Sequence, residues 1–226
     1  MAKTKSSLSL SLLSSIFATV AFFLTWSSIF NCNFVQFTID QNTGLSLGFG
    51  LWSHSFYTIS SSLNGSIIFE ACIRYGSTTI DTSMKAARIF SLLALGLGGT
   101  FFFVNIISAC VTPNKRLSGY TRSEGVAYLL TSLFQGLSLL LLNNSATVCT
   151  NNPLINKLQS EIDAREHVQI EFNDTCAIST GARCCIAAIV FWFLAGLASC
   201  QATSAARKEE DDGRDNLRDP LIDSIL

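Results

Sequence analysis

Charge is missing from five long stretches of this 226-residue chain: no Asp, Glu, Lys or Arg occurs in 6–39, 41–69, 89–114, 125–156 or 184–206. A helix needs about 20 predominantly apolar residues to cross a hydrocarbon core about 30 Å thick. Four of the windows supply such a run, at 8–30, 86–110, 125–142 and 185–203. The fifth, 41–69, does not: 17 of its 29 residues are Gly, Ser, Thr, Asn, Gln or His, and its apolar residues alternate. So much Gly and Ser makes a poor membrane helix in lipid. The expected protein is a membrane all-α four-helix transmembrane bundle, with its folded loops outside the bilayer.

The first apolar run is longer than a typical signal-peptide core. It ends in Phe22, Phe23 and Trp26 rather than in a small-residue cleavage site, so it reads as a retained helix. An even number of spans puts both termini on one side, and the positive-inside rule selects the cytosol. Nine cations lie on three short segments: Lys3 and Lys5, Lys115, Arg116 and Arg122, and Arg207, Lys208, Arg214 and Arg218. The two long loops carry only six over about twice the length (Arg74, Lys85, Arg88, Lys157, Arg165, Arg183). The organisation expected is a cytosolic N-terminus at 1–7, TM1 at 8–30, a first exoplasmic loop at 31–85 and TM2 at 86–110. A cytosolic loop at 111–124, TM3 at 125–142, a second exoplasmic loop at 143–184, TM4 at 185–203 and a disordered cytosolic tail at 204–226 complete it. Three glycosylation sequons, at Asn64, Asn143 and Asn173, all fall in the exoplasmic loops. Either the plasma membrane or an endomembrane suits this topology.

Four of the eight cysteines also lie in those loops: Cys32 and Cys72 in the first, Cys149 and Cys176 in the second. An exoplasmic compartment favours disulfides. Four cysteines permit three pairings, of which pairing within each loop is the simplest. Cys110 and Cys200, at the cytosolic ends of TM2 and TM4, suit S-palmitoylation, with an unmodified helix-end thiol as the alternative. Cys184 and Cys185 open TM4 as packing residues or acylation sites. Two histidines and no Cys-x-x-Cys leave little for zinc, and no metal or other cofactor is expected.

Several loop segments alternate with period two. Val35, Phe37 and Ile39 share one face; Ile67, Phe69, Ala71, Ile73 and Tyr75 share another; Val168, Ile170 and Phe172 repeat the pattern. Turn-rich stretches at 40–44 and 60–65 separate them. A small exoplasmic antiparallel β-sheet of about four strands is expected, one strand from the second loop. Residues 152–167 instead show helical spacing, for a short amphipathic helix.

The first loop also holds Gly50-Leu51-Trp52, preceded by Trp26 near the exit of TM1 and followed by Ala86-Ala87-Arg88 at the entry to TM2. With four spans, this layout resembles the claudin and peripheral myelin protein superfamily over about residues 8–203. The resemblance implies a sheet above a left-handed four-helix bundle and non-enzymatic work at membrane contacts. Claudins place both first-loop cysteines after Gly-Leu-Trp, whereas here Cys32 precedes it, and the second loop is longer. Trp52 reads as a domain anchor or as a partner- or lipid-facing contact; Arg88 reads as a donor to loop carbonyls.

Small residues recur four apart at Ala94 and Gly98, Gly96 and Thr100, and Ala195 and Ser199, which suits close helix packing within the bundle. Asn105 and Gln135 are the notable polar side chains at depth, and apart from Arg88 at the membrane boundary no acidic or basic residue falls inside any expected span. That argues against proton-coupled transport. His54 and His167 have no credible nucleophile beside them, so no enzymatic activity is expected. The tail ends in Ser224-Ile225-Leu226, a form that suits a PDZ groove. The function expected is lateral or cell–cell contact and membrane organisation. The alternative is a regulatory auxiliary subunit of a channel, receptor or transporter. Partners would be the lipid bilayer, other membrane proteins or a second copy of the chain, and a cytosolic PDZ protein, with no nucleic acid.

Overall fold

A computed structural model describes residues 3–40, 45–62, 65–75, 82–111, 118–139 and 176–222. Four helices lie among them: α1 (Lys3–Phe30), α2 (Thr82–Val111), α3 (Ser118–Ser138) and α4 (Thr180–Ile222). Five strands join them: β1 (Val35–Asp40), β2 (Leu45–Phe49), β3 (Ser53–Ser62), β4 (Gly65–Arg74) and β5 (Cys176–Ile178). They form one antiparallel sheet in the order β4-β3-β2-β1-β5.

Three helices are long and apolar enough to cross a membrane, over Ser9–Phe30, Thr82–Ser108 and Thr180–Lys208. Their outward faces give the physical reason to place them in lipid. Leu12, Ile16, Phe23, Ile89, Phe103, Ile107, Val190 and Phe193 are all exposed, while Ser14, Thr25, Asn105 and Ser199 are buried. Water does not tolerate an apolar surface of that extent, and hydrocarbon does. Hydroxyls on these helices are satisfied locally, by donation to the carbonyl four residues back: Ser15 to Ser11, Thr19 to Ser15, Thr100 to Gly96 and Thr203 to Ser199. This chain is a membrane protein.

The chain divides into two compact units. The first comprises Met1–Phe22, Ala94–Leu133 and Ile189–Leu226. Its centre is Trp192, fully buried, with the Tyr128 ring 5.2 Å away. Glycines admit the close approach. A Cβ on Gly98 would lie 2.7 Å from the Trp192 ring, and one on Gly196 would lie 2.8 Å from Leu129 and 3.1 Å from the Gly125 carbonyl. Ala94, Gly98, Ala195 and Ser199 are therefore interior residues, but Gly96 and Thr100 are exposed, and nothing lies within 4 Å of a Cβ built on Gly96. The pair Gly96 and Thr100 faces out of the bundle, a correction that follows from its two-residue offset from Ala94 and Gly98 around one helix.

The second unit comprises Phe23–Leu93 and Phe134–Ala188 and contains the sheet. Helix α1 stops where Asn31 turns the chain: the Asn33 amide donates to Asn31 Oδ1 at 2.8 Å, an Asx turn that launches β1. The Phe34 and Ser179 amides donate to Phe49 and Phe34 carbonyls, which ties β1 to both neighbours. Cys32 and Cys72 form a disulfide.

Three expectations change. The sheet has five strands, not about four, because β3 runs to Ser62 and pairs with β4 at ten positions. The β-favouring run Phe56-Tyr57-Thr58-Ile59 extends pairing into a serine-rich stretch read as turn. The second loop contributes one strand, as expected, at β5; the alternating segment 168–172 and the helix expected at 152–167 lie outside the described residues. Residues 204–222 continue α4 rather than being disordered. Ala, Arg, Lys and Glu propagate a helix well, and Arg207 and Asp211 stand four apart. At roughly 65 Å its 43 residues exceed the ~30 Å hydrocarbon core about twofold, so one end must project beyond it. Finally, α3 begins at Ser118, ahead of residue 125, and is not among the three long apolar helices.

Candidate functional site

Gly50-Leu51-Trp52 forms the connection from β2 to β3, and Arg88 reaches it from the second turn of α2. Arg88 Nε donates to the Leu51 carbonyl at 2.6 Å. The guanidinium carbon lies 4.8 Å from the Trp52 ring centroid and 5.3 Å from that of Tyr75, so the cation is held against two aromatic faces. Tyr75 Oη in turn donates to the Gly50 carbonyl at 2.9 Å, and the Tyr75 amide to Trp52. Burial pushes the Tyr75 phenol well above its usual range despite the opposing pull of the Arg88 charge, so it stays a donor. Leu51 is fully buried. The imidazole of His54 stacks between Phe49, at 6.4 Å, and Tyr75, at 5.3 Å. This constellation joins a helix end to a sheet by one strong hydrogen bond and a stacked cation. It contains no nucleophile.

Replacing Arg88 by methionine keeps the length and removes the Leu51 bond and both ring contacts. It is expected to cost about 2–3 kcal/mol, read as a lower thermal midpoint of the detergent-solubilised protein. Tyr75→Phe, losing one hydrogen bond, should cost about 1 kcal/mol.

Helix α3 carries a second pattern. Glu124, Tyr128, Thr131, Gln135 and Ser138 recur at steps of three and four, and all are buried, whereas Val126, Leu130 and Leu133 are exposed. Polar inside and apolar outside is the reverse of a helix in water. In the first unit the Asn105 amide donates to Glu124 Oε1 at 2.7 Å and to Ser15 Oγ at 3.3 Å, while Ser14 and Ser199 hydroxyls meet at 2.7 Å. In the second, Gln135 Nε2 donates to Cys185 Sγ at 3.0 Å, with the Ser138 hydroxyl 3.4 Å from the same sulfur. Glu124 is 4% exposed. Glu124, expected in the cytosolic loop at 111–124, thus belongs to α3 and is buried there. Its place at the edge of a charge-free window reads as loop, and helical phase decides otherwise.

Of the other expected site residues, Trp26 is half-exposed and stacks on Phe30 at 4.7 Å rather than joining the Arg88 group. Cys200 is half-buried, and its sulfur would lie 2.7 Å from a Cβ on Gly125, so it packs between helices. Cys110 belongs to α2 and Cys176 opens β5. Cys149, the three sequon asparagines Asn64, Asn143 and Asn173, and the terminal Ser224, Ile225 and Leu226 lie outside the described residues. Two contributors are not marked as such by the sequence. Tyr75 shows only as one apolar member of an alternating strand, and Glu124 carries a usable signal in the three-and-four spacing of polar residues along α3, whose Gln135 and Ser138 meet Cys185. Among the described residues no group of His, Cys, Asp and Glu is placed to hold a metal. Set beside protein-family models and curated proteins, the chain matches none.

Proposed function

We propose that this chain is a non-enzymatic, claudin-like four-span membrane protein whose exoplasmic sheet makes lateral or cell–cell contacts and organises the membrane around it. Both termini are cytosolic in this reading, and α3 is the fourth span, entering lipid with its apolar face outward. The observation that carries it is the clasp of Arg88 on Gly50-Leu51-Trp52 beside a disulfide-closed sheet. Such an arrangement fixes a folded surface to a membrane helix, and a rigid exoplasmic surface is what recognition of another protein requires. Crosslinking mass spectrometry on the full chain in a mild detergent tests it. The expected crosslinks run between first-loop residues of two copies, with freeze-fracture strands or clusters in expressing cells. A protein that stays monomeric and causes no clustering or adhesion would sink the proposal, and stoichiometric recovery with one larger channel or transporter would replace it with the auxiliary-subunit reading.

A further inference from the structure

Arg88 is only partly used by the clasp. Its Nε is spent on the Leu51 carbonyl and its faces lie against Trp52 and Tyr75, but Nη2 is shut off from water with no acceptor. The indole Nε1 of Trp52, whose ring lies under the same guanidinium, is equally without one. Among the described residues no carboxylate forms an ion pair with Arg88. A half-buried cation with a free fork and a neighbouring free N–H is a donor set awaiting an anion with several acceptor oxygens.

The location narrows the anion. Arg88 is the seventh residue of α2 and lies inside the stretch apolar enough to cross a membrane, with Ile89, Leu92 and Leu93 exposed just beyond it. One turn earlier, three residues back and thus on the same helix face, Lys85 is exposed. This is the level at which a helix passes from headgroups into hydrocarbon, and tryptophan N–H groups favour it. The anion there is phosphate.

We propose that the unpaired edge of Arg88, flanked by Trp52 Nε1 and Lys85, seats one phosphate group, carried by a phospholipid of the exoplasmic leaflet, the one that faces the sheet. Arg88 is partly exposed, so the phosphate arrives along its solvent-facing edge, and the Arg88 and Trp52 side chains turn outward to present Nη2 and Nε1 to it. The proposal borrows only the topology from the functional reading above, and its readout does not depend on any contact between copies or cells.

The test is native mass spectrometry of the full chain from mild detergent, after equilibration with phosphatidylglycerol or with a phosphate-free galactolipid of the same acyl chains. One phosphatidylglycerol retained per chain, and no galactolipid, is the expected result. Arg88→Lys, a point charge without the fork, should weaken retention roughly tenfold, and Trp52→Phe by less. Lys85 is exposed, so Lys85→Gln leaves the fold alone and reads the site even if an Arg88 variant does not fold; it too should lower retention. Displacement of the lipid by inorganic phosphate at equal concentration would keep the phosphate seat and identify its source as soluble. Equal retention of the galactolipid, or retention unchanged in both Lys85→Gln and Arg88→Lys, would overturn it.

Discussion

Gly50→Ala is expected to cost about 3 kcal/mol or more and to abolish the folded sheet unit in a chain with little margin. The reason is space. A methyl group at this position would run into the Asn31 carbonyl oxygen, and would lie 2.8 Å from Cys32 Cα and 2.9 Å from the Ser53 carbonyl. All three obstacles are backbone, which cannot swing aside as a side-chain tip can. Moving the chain to make room would pull on everything Gly50 anchors. Its amide donates to Ser53 at 2.8 Å, its carbonyl accepts from Tyr75, and Cys32 is bonded to Cys72. Gly96→Ala is the matched control, since its Cβ would meet open space. There the substitution should be neutral or stabilising by up to about 1 kcal/mol, through helix propensity alone. Thermal unfolding of both variants in the same detergent decides the matter, and equal midpoints would refute the packing argument.

The second large effect is expected from Cys32→Ser. The bond closes a loop with a sequence separation of 40, and on the chain-entropy view its removal costs roughly 4 kcal/mol. Its placement suits that role. In the order β4-β3-β2-β1-β5, it joins β4 to the segment entering β1 across two intervening strands. A small sheet with Ile73 and Ile178 exposed has limited apolar burial of its own to replace the constraint. Cys72→Ser should match Cys32→Ser, and the double variant should lose no more than either single one. Reductant should lower the wild-type midpoint to the variants' level and leave theirs unchanged. A wild-type midpoint insensitive to reductant would exclude this account.

The legible parts of the fold are those in which each residue answers to its surroundings alone. The charge-free runs mark α1, α2 and α4 because hydrocarbon penalises any charge whatever its neighbours. Alternation around Val35 and Ile73 marks strands because the pleat turns successive side chains to opposite faces. Boundaries were less legible. Glu124 looked like loop because one carboxylate ends a charge-free window, yet the phase of α3 turns it inward beside Asn105. Ser60, Ser61 and Ser62 looked like turn, yet β4 supplies their partners Ile67, Ser66 and Gly65. In both cases pairing within the fold overrides a local preference, for Glu124 by a partner 19 residues away and for the serines by the adjacent strand of their own hairpin.

The candidate site shows the same division. Gly50, Leu51, Trp52 and Arg88 stood out as a motif, but nothing in their spacing says that Arg88 Nε meets the Leu51 carbonyl, 37 residues away, or that Tyr75 completes the group. Transfer free energy and backbone preference belong to the residue, so the order of amino acids is enough to mark which segments prefer lipid, which pair as strands and which cysteines share a loop. That Cys32 bonds Cys72, that Gly50 has no room for a methyl group and that α3 turns its polar face inward emerge with the folded chain. Those outcomes depend on which surfaces meet, and contact between residues far apart in the chain is a property of the packed whole.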